Sequence, residues 1–225
     1  MYDSFLSVII ETYTDVLKQQ GHEDIVEALD FSPNGDILVT AGVDGKVKLW
    51  NPFSGFCFVT FSEHQAPVRG VSFSGRGTVV LSASLDGTVR AYDLSRYRCF
   101  RTLSSEDDQK FTSVSGDASG DLVAAGGLDP FSVYIWSIRT GKLLQILTGH
   151  QGPVSNLQFG LSKNMLLSAS WDKSVRVWDF MSTGSPVETL EHTAEVLSLT
   201  VSPIDDRVCT VTLSSQLCFW NFVSG

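Results

Sequence analysis

The sequence is poor in the features that support catalysis, membrane insertion or covalent cross-linking. Its cysteines have no CxxC spacing and fall in stretches expected to be strands, which favours free buried thiols in a reducing compartment. They are Cys57, Cys99, Cys209 and Cys218. Basic residues are also scarce, at 16 Lys and Arg against 25 Asp and Glu, so the net charge is −9. That balance argues against broad nonspecific nucleic-acid binding, although it leaves room for a local basic patch.

Long hydrophobic runs and catalytic motifs are missing as well. No apolar stretch approaches the ~20 residues that a membrane-spanning helix needs. The short run at residues 5–10 lacks the basic flank of a signal peptide. The sequence contains no GxSxG, HExxH or phosphate-loop motif. We therefore expect a protein that is not an enzyme, that needs no cofactor or metal, and that takes no small-molecule substrate and contacts no membrane.

A repeat occupies nearly the whole chain instead. An aromatic residue recurs at steps of 42, 44, 42 and 42 residues, and all four histidines lie 28 residues before one of these aromatics. The aromatics are Trp50, Tyr92, Trp136, Trp178 and Trp220, and the histidines are His22, His64, His150 and His192. Residues 149–179 show the unit most clearly, from Gly-His at the start to Trp-Asp at the end. This register is the signature of a WD repeat, the unit of a β-propeller blade.

Each unit reads as four short strands, with alternating apolar and polar residues separated by Gly, Asp, Ser or Asn. One blade cannot bury both faces of its sheet, so stacked blades form the folding unit. The sequence predicts an all-β WD-repeat β-propeller with five four-stranded antiparallel blades. The expected blades cover residues 12–61, 62–103, 104–147, 148–190 and 191–225, and residues 1–11 form a non-repeat segment.

The strand count allows two arrangements of the blades. An outer strand over residues 12–20 could pair with residues 217–222 and close a ring of five blades. The same count fits an incomplete part of a longer array, and WD propellers usually close with seven blades. We therefore expect an open arc. It predicts exposed apolar rows at its two ends, such as Leu29 and Phe31 or Leu197 and Leu199, and a tendency to associate.

Four polar positions in each unit predict a buried hydrogen-bond relay that runs from Trp through a hydroxyl and His to Asp. The fourth unit has His150, Ser168, Asp172 and Trp178; the first has His22, Thr40, Asp44 and Trp50; the second has His64, Ser82, Asp86 and Tyr92. The fifth keeps His192, Thr210 and Trp220 but has Ser214 at the Asp position. The third lacks the His and has Ala125 at the hydroxyl position, so we expect apolar packing to hold blades three and five. The shared turn position of the Asp residues favours a structural role over carboxylate catalysis.

Two sets of residues are candidates for contacts with partners. Trp171 precedes the turn Asp, and Trp is enriched in binding hot spots, although it could instead pack on the neighbouring blade. With it we group Leu85, Gln65 and Gln151. The basic concentration Arg90, Arg96, Arg98 and Arg101, with Tyr97 among them, could contact RNA or an acidic partner through Arg96, Tyr97, Arg98 and Arg101. The alternative is a solvated outer strand, or one that is salt-bridged to the acidic loop at residues 104–110.

Several stretches resemble the periodic tryptophan protein 2 family more closely than they resemble WD repeats in general. They are VLKQQGH at residues 16–22, DGKVKLWNPFSGFCFVTFSEH at 44–64, SLDGTVRAYDLSRYRCFRT at 84–102, GHQGPVSNL at 149–157 and SASWDKSVRVWD at 168–179. SGFCFVTF and LSRYRCFRT are the more specific of these, because propeller packing does not require them. The resemblance matches the opening blades of the second of the two propellers in that family.

The resemblance implies a function in ribosome biogenesis. It implies a scaffold within the UTP-B subcomplex of the small-subunit processome, located in the nucleolus of the nucleus and acting in early pre-ribosomal RNA processing and assembly of the 40S subunit. Other UTP-B and processome subunits are the expected partners, with contact to small nucleolar RNA or precursor RNA as a further expectation. The fold alone also allows an adaptor in another complex, such as signalling or substrate recognition by a ubiquitin ligase.

Overall fold

The structure is a computed structural model that describes residues 21–106, 109–160, 164–181, 184–202, 204–205 and 207–221. These residues form nineteen β-strands and no helix. The strands are β1 (Val26–Phe31), β2 (Leu38–Gly42), β3 (Val47–Trp50), β4 (Cys57–Phe61), β5 (Val68–Phe73), β6 (Val79–Ser84), β7 (Val89–Asp93), β8 (Arg98–Leu103), β9 (Phe111–Gly116), β10 (Leu122–Gly127), β11 (Val133–Ser137), β12 (Leu143–Leu147), β13 (Val154–Phe159), β14 (Met165–Ser170), β15 (Ser174–Asp179), β16 (Pro186–Glu191), β17 (Val196–Val201), β18 (Arg207–Thr212) and β19 (Leu217–Asn221).

Consecutive strands pair into five separate antiparallel sheets within the described part of the chain. Blade 1 contains β1–β4, blade 2 β5–β8, blade 3 β9–β12, blade 4 β13–β16 and blade 5 β17–β19. The all-β, propeller-like fold expected from the repeat is therefore confirmed. Blade 5 has three strands among the described residues, whereas the strand expected over residues 12–20 and the segment 1–11 lie outside them. No helix in the described residues is long and apolar enough to cross a membrane.

A β-bulge near the start of the inner strand decides which side chains face the neighbouring blade. In blade 2 the register shifts between Val68 and Gly70. Because the extra residue shifts the alternation by one, Val68 and Val71 point to the same side and both enter the core shared with blade 1. The same shift recurs in blades 1, 3, 4 and 5.

Each internal blade buries one apolar row against the preceding blade and a second row against the following one. Blade 2 packs Val71, Phe73 and Tyr92 against blade 1, and it packs Leu81 and Val89 against blade 3. The same division recurs between blades 3 and 4 and between blades 4 and 5. The described residues thus form four inter-blade cores, in which neighbouring sheets stabilise one another.

The first blade exposes the row that internal blades bury. Leu29 and Phe31 are 64% and 52% exposed, whereas the equivalent Val71 and Phe73 of blade 2 are 8% and 6% exposed. This is the exposure expected at Leu29 and Phe31 for an open arc. Among the described residues, no apolar core joins blade 5 to blade 1. The pairing that would close the ring involves residues 12–20, which lie outside the described part.

The expectation that Leu199 belongs to the exposed row of blade 5 is wrong. Leu199 is 5% exposed and packs against blade 4, because the bulge after Val196 turns both residues to that side. Leu197 is 39% exposed but lines a cavity to which the first strands of all five blades contribute, and we call this cavity the channel mouth. The outward row of blade 5 includes Leu217 and Phe219, which are 56% and 74% exposed.

Candidate interaction surfaces and the hydrogen bonds that hold the blades

Four polar side chains of blade 4 form a hydrogen-bonded chain. Trp178 Nε1–H donates to Ser168 Oγ at 2.8 Å, and Ser168 Oγ lies 2.7 Å from His150 Nε2. His150 Nδ1 lies 2.8 Å from a carboxylate oxygen of Asp172. Because a carboxylate only accepts, Nδ1 carries the proton and Nε2 accepts from Ser168, so every member has a partner. Blade 1 repeats these bonds at 2.7–3.0 Å with His22, Thr40, Asp44 and Trp50.

The hydrogen-bond chain of blade 2 ends at Ser82. His64 bonds Asp86 at 2.8 Å and Ser82 at 2.6 Å. The buried hydroxyl of Tyr92 has no hydrogen-bond partner among the described residues, so the relay predicted through Tyr92 stops one member short. Its ring stacks on Phe61 with the two centroids 4.2 Å apart. Burial raises the pKa of Tyr92, and the phenol stays neutral.

Blade 5 keeps a hydrogen-bond chain without the turn carboxylate. His192 Nδ1 lies 3.1 Å from the carbonyl oxygen of Leu190, and Nε2 lies 2.8 Å from Thr210 Oγ1. Trp220 Nε1–H donates to the same hydroxyl at 3.1 Å. A backbone carbonyl thus takes the accepting role of the missing Asp. The blade is held by these bonds as well as by apolar packing, which differs from the expectation of mainly apolar packing.

Blade 3 replaces the relay with a buried glutamine and a group of aromatic rings. Trp136 Nε1–H donates to the carbonyl oxygen of Ser104 at 3.3 Å. Gln109 is 1% exposed, and its Nε2 donates to the carbonyl oxygen of Pro130 at 3.0 Å. A Cβ at Gly127 would lie 1.7 Å from that Nε2, so glycine leaves the room that Gln109 fills. Sequence reasoning missed Gln109, because no repeat position marks it.

The turn carboxylates are held ionised by the groups around them. Burial alone would raise the pKa of Asp172, but hydrogen bonds from His150, Ser174 and the Gln151 N–H outweigh it and hold that pKa well below 3.8. The same balance lowers the pKa of Asp44 and Asp86. A carboxyl group with a lowered folded pKa contributes stability above its unfolded pKa, and this contribution is lost as pH falls through the folded value. These groups therefore serve the fold at neutral pH.

Trp171 lies at the channel mouth, at the end of the blades that carries the Asp turns. It is 55% exposed and lines a cavity of about 320 Å³ with Leu85, Leu128 and Leu197. The ion pair between Arg69 and Glu27, at 3.0 Å, lies in the same wall. The structure therefore brings Trp171 and Leu85 together, in an apolar cavity with one charged pair.

Gln65 and Gln151 lie apart from that cavity, as they are not among the residues that line it. Both residues are exposed. Their backbone N–H groups donate to Asp86 and Asp172 at 3.2 and 3.0 Å. The main chain of both residues therefore supports the hydrogen-bond chains of blades 2 and 4. The described residues contain no cluster of three or more His, Cys, Asp or Glu side chains placed to hold a metal ion.

The basic concentration divides into exposed and packed residues. Arg96, Tyr97 and Arg98 are exposed, and neither arginine forms an ion pair among the described residues. Arg101 turns inward, where its guanidinium donates to two backbone carbonyls of blade 3 at 3.2 and 2.7 Å and ties blades 2 and 3 together. Arg90 is half-buried on β7. The acidic loop at residues 104–110 makes no ion pair within its described positions, and residues 107 and 108 lie outside them.

Sequence reasoning missed three exposed phenylalanines of blade 1, one of which contacts the basic concentration. Phe53, Phe56 and Phe58 are 79%, 61% and 45% exposed, on the turn before β4 and on β4 itself. Phe58 contacts Tyr97 of the next blade edge to face, with their centroids 6.0 Å apart. The signal for Phe56 and Phe58 was present in SGFCFVTF, where aromatic residues occur that propeller packing does not require.

Comparison with known proteins agrees with the repeat. The family model described as WD domain, G-beta repeat matches residues 13–51, 55–93 and 141–179. The chain belongs to this WD-repeat family. Each match ends one residue after a periodic aromatic, at Asn51, Asp93 or Asp179. The three matches end in blades 1, 2 and 4, which carry both the His and the turn Asp.

The resemblance to periodic tryptophan protein 2 is confirmed. The chain is 50% identical to the homolog from Mus musculus over 92% of the chain and 22% of that relative. It is 47% identical to the protein from Saccharomyces cerevisiae over 92% of the chain and 22% of the relative. It is 42% identical to the protein from Arabidopsis thaliana over 95% of the chain and 24% of the relative. The chain therefore spans less than a quarter of the length of these relatives.

Proposed function

We propose that this WD-repeat chain is part of a non-enzymatic protein-interaction scaffold in ribosome biogenesis. It acts in the small-subunit processome, in the nucleolus, and supports early processing of precursor ribosomal RNA and assembly of the small subunit. Its partners are other subunits of the UTP-B subcomplex. The observation that carries the proposal is the 42–50% identity to periodic tryptophan protein 2 over at least 92% of the chain.

The contacts of the blades support a scaffold. The histidines and turn carboxylates bond one another or the backbone within blades 1, 2, 4 and 5, and four inter-blade cores join the blades into one surface. Interaction proteins need such a stable surface with a few exposed apolar anchors. Trp171 and Leu85 provide anchors at the channel mouth, where the cavity of about 320 Å³ can receive an apolar side chain of a partner.

Affinity purification followed by mass spectrometry tests the proposal. The full protein that carries this chain, tagged and expressed in its own cells, is expected to recover small-subunit assembly factors in near-stoichiometric amounts. After ribonuclease treatment of the lysate, the proteins that bind the chain directly should still be recovered with it. Recovery of a signalling complex or a ubiquitin ligase in place of assembly factors would establish the adaptor alternative instead.

A Trp171→Ala variant in the same experiment identifies the surface. Because Trp171 is 55% exposed, its loss should leave the melting temperature almost unchanged while it reduces recovery of at least one protein partner. Val187→Ala is the matched control, since Val187 is 69% exposed on the outer strand of the same blade and does not line the cavity. Undiminished recovery with Trp171→Ala removes the channel mouth as the docking surface.

A further inference from the structure

One turn on the outer rim has a backbone conformation that its residue disfavours. Tyr97 has a φ of 49°, in the left-handed region. In each of blades 1 to 4, one residue of the outer strand pairs with the periodic aromatic, and Tyr97 lies two residues before that residue in blade 2. Blades 1, 3 and 4 have glycine at the same position. These are Gly55, Gly141 and Gly184, with φ of 71°, 74° and 78°. Glycine adopts this conformation without steric cost, whereas a bulky side chain does not. Glycine at position 97 would relieve this strain, as it does in blades 1, 3 and 4. A tyrosine at this position therefore indicates that its side chain has a function.

The side chain of Tyr97 completes an exposed patch that joins two blades. We define the rim patch as Phe58, Arg96, Tyr97 and Arg98. The rings of Phe58 and Tyr97 meet edge to face at 6.0 Å, with an interplanar angle of 78°, and both remain about half exposed. Blade packing does not bury these rings, so the contact does not serve the inter-blade core.

The charges beside the rings are unsatisfied within the described chain. Arg96 and Arg98 flank Tyr97, and neither forms an ion pair there, although the chain as a whole carries a net charge of −9. Two unpaired guanidinium groups on an acidic protein create a local site for carboxylates. The rings beside them provide apolar area that stays rigid, because each ring is held by only two rotatable bonds.

We propose that the rim patch is a docking site for an acidic segment of a partner protein, in which apolar side chains alternate with Asp or Glu. The apolar side chains pack on Phe58 and Tyr97, and the carboxylates pair with Arg96 and Arg98. A protein segment fits better than single-stranded RNA, because the edge-to-face rings form one closed surface and not separate plates between which bases could stack.

The Tyr97→Gly variant separates docking from folding. Glycine suits the positive φ, so the melting temperature should stay the same or rise, while the ring that links the two blades is lost. The probe is a fluorescein-labelled peptide of about twelve residues in which Leu and Phe alternate with Glu, and anisotropy at about 0.15 M salt reports binding. We expect the unmodified chain to bind this peptide and Tyr97→Gly to bind it about tenfold more weakly. Removing Arg96 and Arg98 together, by R96A and R98A, should weaken binding and reduce its salt dependence.

The controls decide between the remaining outcomes. The same peptide with Lys in place of Glu should not bind, and Val187→Ala, on an exposed outer strand of blade 4, should bind like the unmodified chain. Equal binding by Tyr97→Gly and the unmodified chain overturns the proposal, and so does the absence of binding to the acidic peptide. Tighter binding of a uridine oligonucleotide, lost in Tyr97→Gly, overturns it in favour of RNA.

Discussion

Replacing Trp178 with alanine is expected to lower the free energy of unfolding by about 3–5 kcal/mol. The indole is fully buried in the core between blades 3 and 4, where it packs with Leu166 and Val154. Truncation leaves a cavity, and it also removes the donor to Ser168 at 2.8 Å. Urea unfolding followed by circular dichroism measures the change as a shift of the midpoint.

Trp171→Ala is the matched control for this effect. The two tryptophans are seven positions apart in the same blade, but Trp171 is 55% exposed and Trp178 is 0% exposed. A substitution at an exposed position changes stability by only about 0.5 kcal/mol. Comparable losses for the two variants would show that the core between blades 3 and 4 is not packed as described.

His150→Ala is expected to destabilise the chain by about 1–3 kcal/mol, because two polar groups of the blade each lose a hydrogen bond. Asp172 loses the hydrogen bond at 2.8 Å, and the buried Ser168 loses the one at 2.7 Å. A thermal melt that does not change with His150→Ala would contradict the relay. His192→Ala should cost less, since its Nδ1 bonds a backbone carbonyl and no carboxylate loses a hydrogen bond. The position of blade 3 that corresponds to His150 is residue 108, which lies outside the described residues and therefore offers no matched test.

The sequence predicts the blades well because the spacing of the aromatic and histidine residues follows from two physical requirements. The 42-residue period fixes where an aromatic ring must be buried, and the 28-residue step fixes where a histidine must meet a hydroxyl and a carboxylate. Both requirements follow from hydrogen bonds and packing inside one blade. Blades 1 and 4 accordingly have all four members at bonding distance.

The features that were not predicted depend on contacts between positions that the repeat does not relate. Gln109 fills a space that only its tertiary neighbours create, next to Gly127. The inward side of Leu199 follows from a bulge that alternation alone does not reveal. The left-handed turn at Tyr97 is recognisable only from its alignment with glycines of other blades. Local patterns therefore predict the scaffold, whereas the candidate surfaces arise from inter-blade geometry.

The most direct test of a scaffold function in ribosome biogenesis is the level of precursor ribosomal RNA after depletion of the full-length protein that carries this chain. Hybridisation with probes to the early precursors and to both mature subunit RNAs measures the effect, and re-expression of the intact protein controls for specificity. The proposed function predicts accumulation of the earliest precursor and a fall of mature small-subunit RNA, with large-subunit RNA maintained. Unchanged precursor levels, with normal small-subunit RNA after depletion, would contradict it.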